Sequence, residues 1–208
     1  MSVTAERVFH YFREICKIPH GSGNTEKIAD YCADFAQKQG YRYIKDEGGN
    51  VIIYADGTCG MENKAPVVLQ GHLDMVCEKE AGADIDFTTD GLTLKVDGEW
   101  LHADRTTLGG DDGIAVAYAM ALLTDKTVPH PALEVIITVD EETGMEGAAG
   151  IDLSMLRGRK MLNLDSEEEG IFTVSCAGGV RTQISMPVQR RAVYGPCVRL
   201  TVEGLKGG

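Results

Sequence analysis

Histidine and carboxylate residues directly follow three short apolar segments of the chain, in positions where they could bind metal ions. The segments with the residues that follow them are 66–70 with His72 and Asp74, 133–139 with Glu141 and Glu142, and 160–164 with Asp165. Short apolar runs without clean alternation are typical of strands buried on both faces of a sheet. Because ligands bind beyond the carboxyl ends of the strands in open α/β sheets, we expect these side chains to meet at one edge.

A fourth polar segment, Gly109-Gly110-Asp111-Asp112-Gly113, leads into a stretch rich in alanine. Its glycines permit a tight turn, which would place Asp111 near the N-terminus of the predicted helix. Taken alone, this segment could be a turn with a helix cap, and each of the other segments could be a chance match or a solvated loop. Their common position at strand ends or a helix start favours a metal site.

Two divalent ions would resolve the electrostatics of such an edge. Carboxylates crowded into a partly buried site raise one another's pKa, so they cannot all be ionised without nearby cations. One imidazole with several carboxylates suits Zn²⁺, with Mn²⁺ or Co²⁺ as alternatives, better than a thiolate site would. A carboxylate that bridges two ions is the usual element of a two-metal hydrolase, in which a water is activated for attack.

The segments that must position these residues alternate between helical and strand patterns. The predicted elements are a helix N-capped by Thr4 and ending before Pro19, a helix from Asn24 or Thr25 to Gly40, strands at 41–46 and 51–55, a hairpin around Asp97-Gly98, and a buried helix from Gly113 to Leu123. Together with the three apolar strands they predict an α/β fold, with helices covering a mixed, largely parallel sheet.

The texture of the sequence changes near Gly178. Residues 180–188 and 197–203 are predicted to form strands, and no helical pattern follows them. Two strands with a glycine-rich end do not make a domain. We therefore expect a metal-binding domain at 1–178 and the start of a second, truncated domain at 179–208.

Charge and composition exclude several functional classes. A net charge of −12 argues against a nucleic-acid partner, which needs a basic surface. The N-terminal residues have no uninterrupted apolar region, so they do not predict a signal peptide, and no stretch approaches the roughly 18 apolar residues that span a bilayer. The six cysteines form no CxxC pair, which indicates reduced thiols in a cytoplasmic protein. Structural or solvated roles are expected for the other histidines, His10, His20, His102 and His130.

The motifs resemble those of the aminoacyl-histidine dipeptidases, a family of co-catalytic zinc peptidases. The segments GHLDMV, TTLGGDDGIAVA, DEETGM, NLDSEEEG, CAGG and GLKGG occur in the order seen in that family. The resemblance runs from IPHGSGN near the N-terminus to the last residue. HLD and DEE are shared by related aminopeptidases and deacylases, whereas TTLGGDDG with DSEEEG points more narrowly to this branch, whose fold is of the zinc-peptidase type.

The resemblance implies a role for each residue. The implied ligands are His72 and Asp165 on one ion, Glu142 on the other, and Asp111 bridging the two. Glu141 and Asp74 are the implied catalytic residues. Glu141 would act as general base and pass its proton to the leaving amine, while Asp74 would orient the imidazole of His72. The family usually has Asn where Asp112 stands, and we expect this change to be tolerated because the position is not an implied ligand.

The implied activity is hydrolysis of unblocked dipeptides, including those with a C-terminal histidine, with an α+β lid domain that can mediate a homodimer in a full-length form. The family takes one more metal-binding histidine and a substrate-binding lid histidine from segments beyond those present, since the last histidine here is His130. We therefore expect this chain to bind one metal, or a second weakly, and to have little activity. A related di-metal aminopeptidase, an N-acyl amino acid deacylase and an inactive metal-binding fragment stay open as alternatives.

Overall fold

The chain divides into two compact units, Met1–Glu167 and Glu168–Gly208. The computed structural model describes residues 3–166, 168, 170–175, 178, 182–189, 192, 194–196 and 198–204. Within these ranges every helix and strand belongs to the first unit. They are α1 (Ala5–Cys16), α2 (Glu26–Lys38), β1 (Arg42–Lys45), β2 (Val51–Ala55), β3 (Val67–His72), β4 (Leu94–Asp97), β5 (Trp100–Ala103), α3 (Gly110–Thr124), β6 (Leu133–Thr138), α4 (Glu146–Gly150) and β7 (Lys160–Asn163).

A five-stranded mixed sheet forms the centre of the first unit, with the order β1-β2-β6-β3-β7. The β1–β2 and β2–β6 pairs are antiparallel, whereas β3 runs parallel to both of its neighbours, β6 and β7. The predicted α/β fold with a mixed sheet is thus confirmed, but its strand pairings are not largely parallel, because β2 pairs antiparallel with both β1 and β6. The two parallel pairings join the three strands that precede the candidate ligands. The predicted hairpin is also confirmed, as the separate antiparallel pair β4–β5.

Helices α1, α2 and α3 bury apolar side chains in a common core with the sheet. Thr4 caps α1 by accepting the backbone N–H of Arg7 on its hydroxyl at 3.4 Å, as expected for this residue type. Phe12 and Ile15 of α1 are almost fully buried, and burial of each such side chain contributes about 1.5–3 kcal/mol. α3 is buried on nearly all sides because alanine and other apolar residues surround its axis.

The second unit contains no helix or strand within its described residues. The strands predicted at 180–188 and 197–203 are therefore not formed in 182–188 and 198–203, while residues 180, 181 and 197 lie outside the described ranges. A strand needs a hydrogen-bonded neighbour, and apolar residues there are exposed, among them Ile184 at 86% and Val198 at 94%. The domain boundary after 178 and the lid domain stay predictions.

In the part of the chain that the structure describes, none of the helices combines the length and apolar character needed to cross a bilayer.

Candidate metal centre

Three adjacent parallel strands bring the predicted ligands to one edge of the sheet. His72 ends β3 and lies opposite Thr138, which ends β6. β7 pairs with the other side of β3 and ends at Asn163, shortly before Asp165. Since the carboxyl ends of all three strands point the same way, the residues that follow them meet there, as the sequence pattern predicts.

His72 lies at the centre of the edge and is almost fully buried, with 1% of its surface exposed. Its Nδ1 lies 2.9 Å from the backbone carbonyl oxygen of Asp74, which can only accept a hydrogen bond. Nδ1 must therefore carry a proton and donate it, an assignment that follows from the hydrogen-bond network. The other ring nitrogen, Nε2, lies 3.0 Å from Oδ1 of Asp111 and faces the carboxylates.

The buried carboxylate of Asp74 ties together three segments of the site. It accepts hydrogen bonds from the Ser22 hydroxyl at 2.7 Å, the Glu141 N–H at 3.0 Å and the Glu142 N–H at 3.3 Å. One of its oxygens also lies 3.4 Å from Nδ1 of His72. Burial alone would raise the pKa of Asp74, but these hydrogen bonds and the His72 charge lower it to about 2.

The start of α3 brings a fourth segment to the edge. Gly109 has a φ of +67°, a left-handed conformation that glycine adopts without strain, and the following Asp111–Asp112 peptide bond is cis. The side chain of Asp111 is half exposed, whereas Asp112 is buried and its Oδ2 accepts the backbone N–H of His72 at 3.2 Å. A Cβ on Gly71 would lie 2.7 Å from this oxygen, so β3 and α3 can approach this closely only with glycine at that position.

Two groups of side chains offer donor atoms that lie within 4.8 Å of one another. They are His72 with Glu141 and Glu142, and His72 with Asp111 and Asp165. The second group is the implied donor set of the first ion. The first group contains Glu141, the implied general base, beside the implied ligand Glu142. An imidazole with several carboxylates fits Zn²⁺, Mn²⁺ or Co²⁺ by donor chemistry, so the residues present can hold divalent ions.

The ionisation of the carboxylates reflects their crowding. Burial and the charges of neighbouring acids raise the pKa values of Glu141, Glu142 and Asp165. Burial acts in the opposite direction on His72, but the hydrogen bond to Asp74 and the surrounding carboxylates outweigh it and raise its pKa to about 9. Without metal, these side chains therefore bind protons more tightly than they would in water. Bound cations would stabilise the carboxylates in their ionised form and displace a proton from His72.

Two further residues contact the site in ways that the sequence did not predict. Ser22 reaches Asp74 from a loop 52 residues earlier, and only the IPHGSGN match pointed to its neighbourhood. Asp112 supports the backbone of His72, and burial raises its pKa to about 7. The loop that holds Ser22 also reaches the segment after β6, where the Gly23 N–H donates to Oδ1 of Asp140 at 2.6 Å. The other four histidines contribute to neither donor group.

Comparison with known proteins links this geometry to peptidases. No protein-family model matches the chain. It is 42% identical over 208 residues to a cytosol non-specific dipeptidase of Escherichia coli (strain K12), covering 99% of the chain and 43% of that protein. The structure resembles aminoacylhistidine dipeptidase from Vibrio alginolyticus with a TM-score of 0.78 and 43% identity, covering 82% of the chain and 35% of that structure.

A tripeptidase from Staphylococcus aureus shares the fold alone, with 21% identity and a TM-score of 0.66 over 79% of the chain and 44% of that structure. The chain spans less than half the length of each of these relatives. The resemblance of this chain to the aminoacyl-histidine dipeptidases, predicted from its motifs, is thus confirmed over nearly its whole length in sequence and over most of it in fold.

Proposed function

We propose that the chain is the metal-binding catalytic part of a dipeptidase that hydrolyses unblocked dipeptides. The observation that carries this proposal is the convergence of His72 with four carboxylates within 4.8 Å in two donor groups at the strand ends. The similarity to the E. coli dipeptidase over 99% of the chain supports the choice of substrate class.

In this proposal, two divalent ions would be held by His72, Asp111, Glu142 and Asp165, with Zn²⁺ as the preferred metal. When bound, they would polarise the peptide carbonyl and lower the pKa of a water. Asp111 is the proposed bridge between the two ions. Its half-exposed carboxylate lies 3.0 Å from Nε2 of the buried His72, the proposed ligand of the first ion. The Nδ1–H donation of His72 to Asp74 leaves Nε2 free to bind an ion.

Glu141 is the proposed general base. Its carboxylate lies 4.0 Å from Nε2 of His72 and is about one quarter exposed, so it borders both the ligands and the solvent. Burial and the neighbouring acids raise the pKa of Glu141 toward neutral pH. A general base whose pKa lies nearer the working pH can both accept and release a proton more readily. Glu141 would take a proton from the attacking water and give it to the leaving amine. Its backbone N–H is fixed by Asp74.

The test combines metal analysis with a substrate panel. We expect the purified protein to bind Zn²⁺ at neutral pH and to cleave simple dipeptides or β-alanyl-histidine at a low rate, but in preference to tripeptides and N-acyl amino acids. Glu141→Gln should retain the metal and lower kcat by about 10²–10⁴-fold. Exposed Glu146 on α4 provides the matched control, since Glu146→Gln should change neither property.

Four results would contradict parts of this proposal. Protein that binds metal but cleaves no substrate would favour the inactive metal-binding fragment, and protein that binds no metal would contradict the metal centre itself. Cleavage confined to N-acyl amino acids or to longer peptides would favour the deacylase or the aminopeptidase. Full activity in Glu141→Gln would remove the role given to this residue.

We also propose a cytoplasmic location, for which the support is the name of the E. coli relative. A homodimer through a lid domain follows only from the family resemblance. Sedimentation analysis of a form that contains the whole lid domain would test it, and a monomer at micromolar concentration would contradict it.

A further inference from the structure

A cleft of about 810 Å³ lies at the edge of the five-stranded sheet opposite the metal centre. Its lining includes Arg42 at the start of β1, Ala55 at the end of β2 and Leu133 at the start of β6. These strand ends are the ones remote from Glu141 and Glu142. The volume falls in the range of about 300–1,000 Å³ that is typical of small-molecule sites.

Three cationic side chains and two acidic ones, Asp56 and Glu134, line this cleft, whereas the chain as a whole has 20 lysines and arginines against 32 acidic residues. Among the described residues, Arg42 and Lys126 have no carboxylate within ion-pair distance. The guanidinium of Arg42 instead stacks over the ring of Tyr54 at 3.5 Å. Lys126 Nζ donates to the hydroxyl of Tyr41 at 2.5 Å and to the carbonyl oxygen of Leu123 at 3.1 Å, which leaves the third N–H of the ammonium group. Both positive charges therefore remain available to an anion.

The third cation, Arg157, is connected to Arg42 through residues that lie side by side on β1, β2 and β6. Arg42 lies opposite Tyr54, and Tyr54 lies opposite Glu134 on the next strand. The carboxylate of buried Glu134 accepts the backbone N–H groups of Arg157 and Gly158 at 2.8–3.0 Å. Its charge is thus largely satisfied by these donors, and the Arg157 guanidinium, 3.9 Å away and 71% exposed, still faces solvent.

Tyr54 supports the cleft through its ring rather than its hydroxyl. The side chain is 91% buried, and its hydroxyl is enclosed by the protein, without a hydrogen-bond partner among the described residues. The ring belongs to a residue of the cleft lining and carries the stacked guanidinium of Arg42, which holds that cation at the cleft.

From this arrangement we propose that the cleft binds the phosphate group of a small molecule. Two guanidinium groups and one ammonium group line the space and outnumber its two carboxylates, and planar guanidinium forks match the oxygens of a phosphate. A doubly charged phosphate gains more from three cations than a single carboxylate does. The proposal is independent of the peptidase assignment, because none of the proposed metal ligands or catalytic residues lines the cleft.

The test measures the thermal unfolding of the purified protein with inorganic phosphate as the probe, at constant ionic strength. At a phosphate concentration ten times Kd, a rise in Tm of about 3–5 °C is expected. In Arg42→Gln/Lys126→Gln the affinity should fall by at least about 100-fold, because two charge-assisted hydrogen bonds are lost. The single variant Lys126→Gln keeps the Arg42–Tyr54 stack, so it provides a readout if the double variant does not fold.

Arg13→Gln/Lys27→Gln is the matched control, since both side chains are exposed and lie outside the cleft lining. It should retain the full shift in Tm. The proposal is overturned if phosphate causes no shift in the wild-type protein, or the same shift in Lys126→Gln and the double cleft variant. An equal shift with succinate at the same concentration would overturn the assignment to phosphate.

Discussion

Replacement of Asp74 by Asn tests whether one buried carboxylate holds the site together. The carboxylate has no exposed side-chain surface and accepts hydrogen bonds from Ser22, Glu141 and Glu142. An amide of the same size has one acceptor oxygen, and its NH₂ group would face donors. The variant should therefore lose both the charge and part of the hydrogen-bond network.

The magnitude follows from the pKa of Asp74, which is lowered from 3.8 to about 2 in the folded protein. The ionised carboxylate thus stabilises the fold above pH 3.8 by roughly 2–3 kcal/mol, and this stabilisation is lost as the pH falls through 2. Part of the same attraction raises the pKa of His72, so the two contributions are not added. With one donor left unsatisfied, Asp74→Asn should lower the free energy of unfolding by roughly 3–4 kcal/mol at pH 7.

The assay is urea unfolding of metal-free wild-type and Asp74→Asn protein between pH 3 and pH 7. The difference between them should shrink by roughly 1 kcal/mol at pH 3, because the wild-type protein loses part of its ionised-state advantage there. Ser22→Ala, which removes one of the hydrogen bonds, should cost about 1 kcal/mol. Asp84→Asn is the control: Asp84 is exposed and its variant should stay within about 0.5 kcal/mol of wild type.

Two outcomes would refute this reasoning. A cost below about 1 kcal/mol at pH 7 would mean that the Asp74 contacts contribute little net stability. A difference that does not change with pH would mean that the charge of Asp74 is not what the surrounding donors stabilise.

Three further predictions concern the same site. Binding of Zn²⁺ should release a proton from His72, whose pKa is about 9 without metal. The affinity for Zn²⁺, measured against a competing chelator, should therefore rise about tenfold per pH unit from pH 6 to 8. A constant affinity would contradict this. The pKa of Asp112 is raised from 3.8 to about 7, so the free energy of unfolding falls as the pH rises through that range. Metal-free Asp112→Asn should therefore be more stable than the wild-type protein at pH 8, by up to roughly 4 kcal/mol in urea unfolding. A less stable variant would refute this. Gly71→Ala should lower the free energy of unfolding by about 1–3 kcal/mol, because its Cβ would lie 2.8 Å from that of Ala115. Gly150→Ala, where the new Cβ meets nothing within 4 Å, is the control in thermal unfolding. An equal Tm for both variants would argue against the close approach of β3 and α3.

The identity of the site segments could be predicted from the sequence because it depends on local pattern. Apolar runs such as 133–139 identify buried strands without knowledge of their neighbours, and polar residues directly after such runs must lie at strand ends. His72, Glu142 and Asp165 were predicted to meet on this basis, and the structure brings them to one edge. In the described residues 182–188 and 198–203 the predicted strands are not formed, since a strand forms only when another strand pairs with it.

Contacts between distant segments were decided by the tertiary structure alone. The sequence determined which residue types stand at the ends of β3, β6 and β7, and therefore that a metal site could exist. It did not determine that Ser22 would donate to Asp74, or that Asp112 would turn inward to the backbone of His72 rather than outward like Asp111. Nor did it place Arg42, Tyr54 and Glu134 in one row. Such contacts depend on strand order, register and the angle at which a loop meets the sheet, and these follow from packing of the whole core.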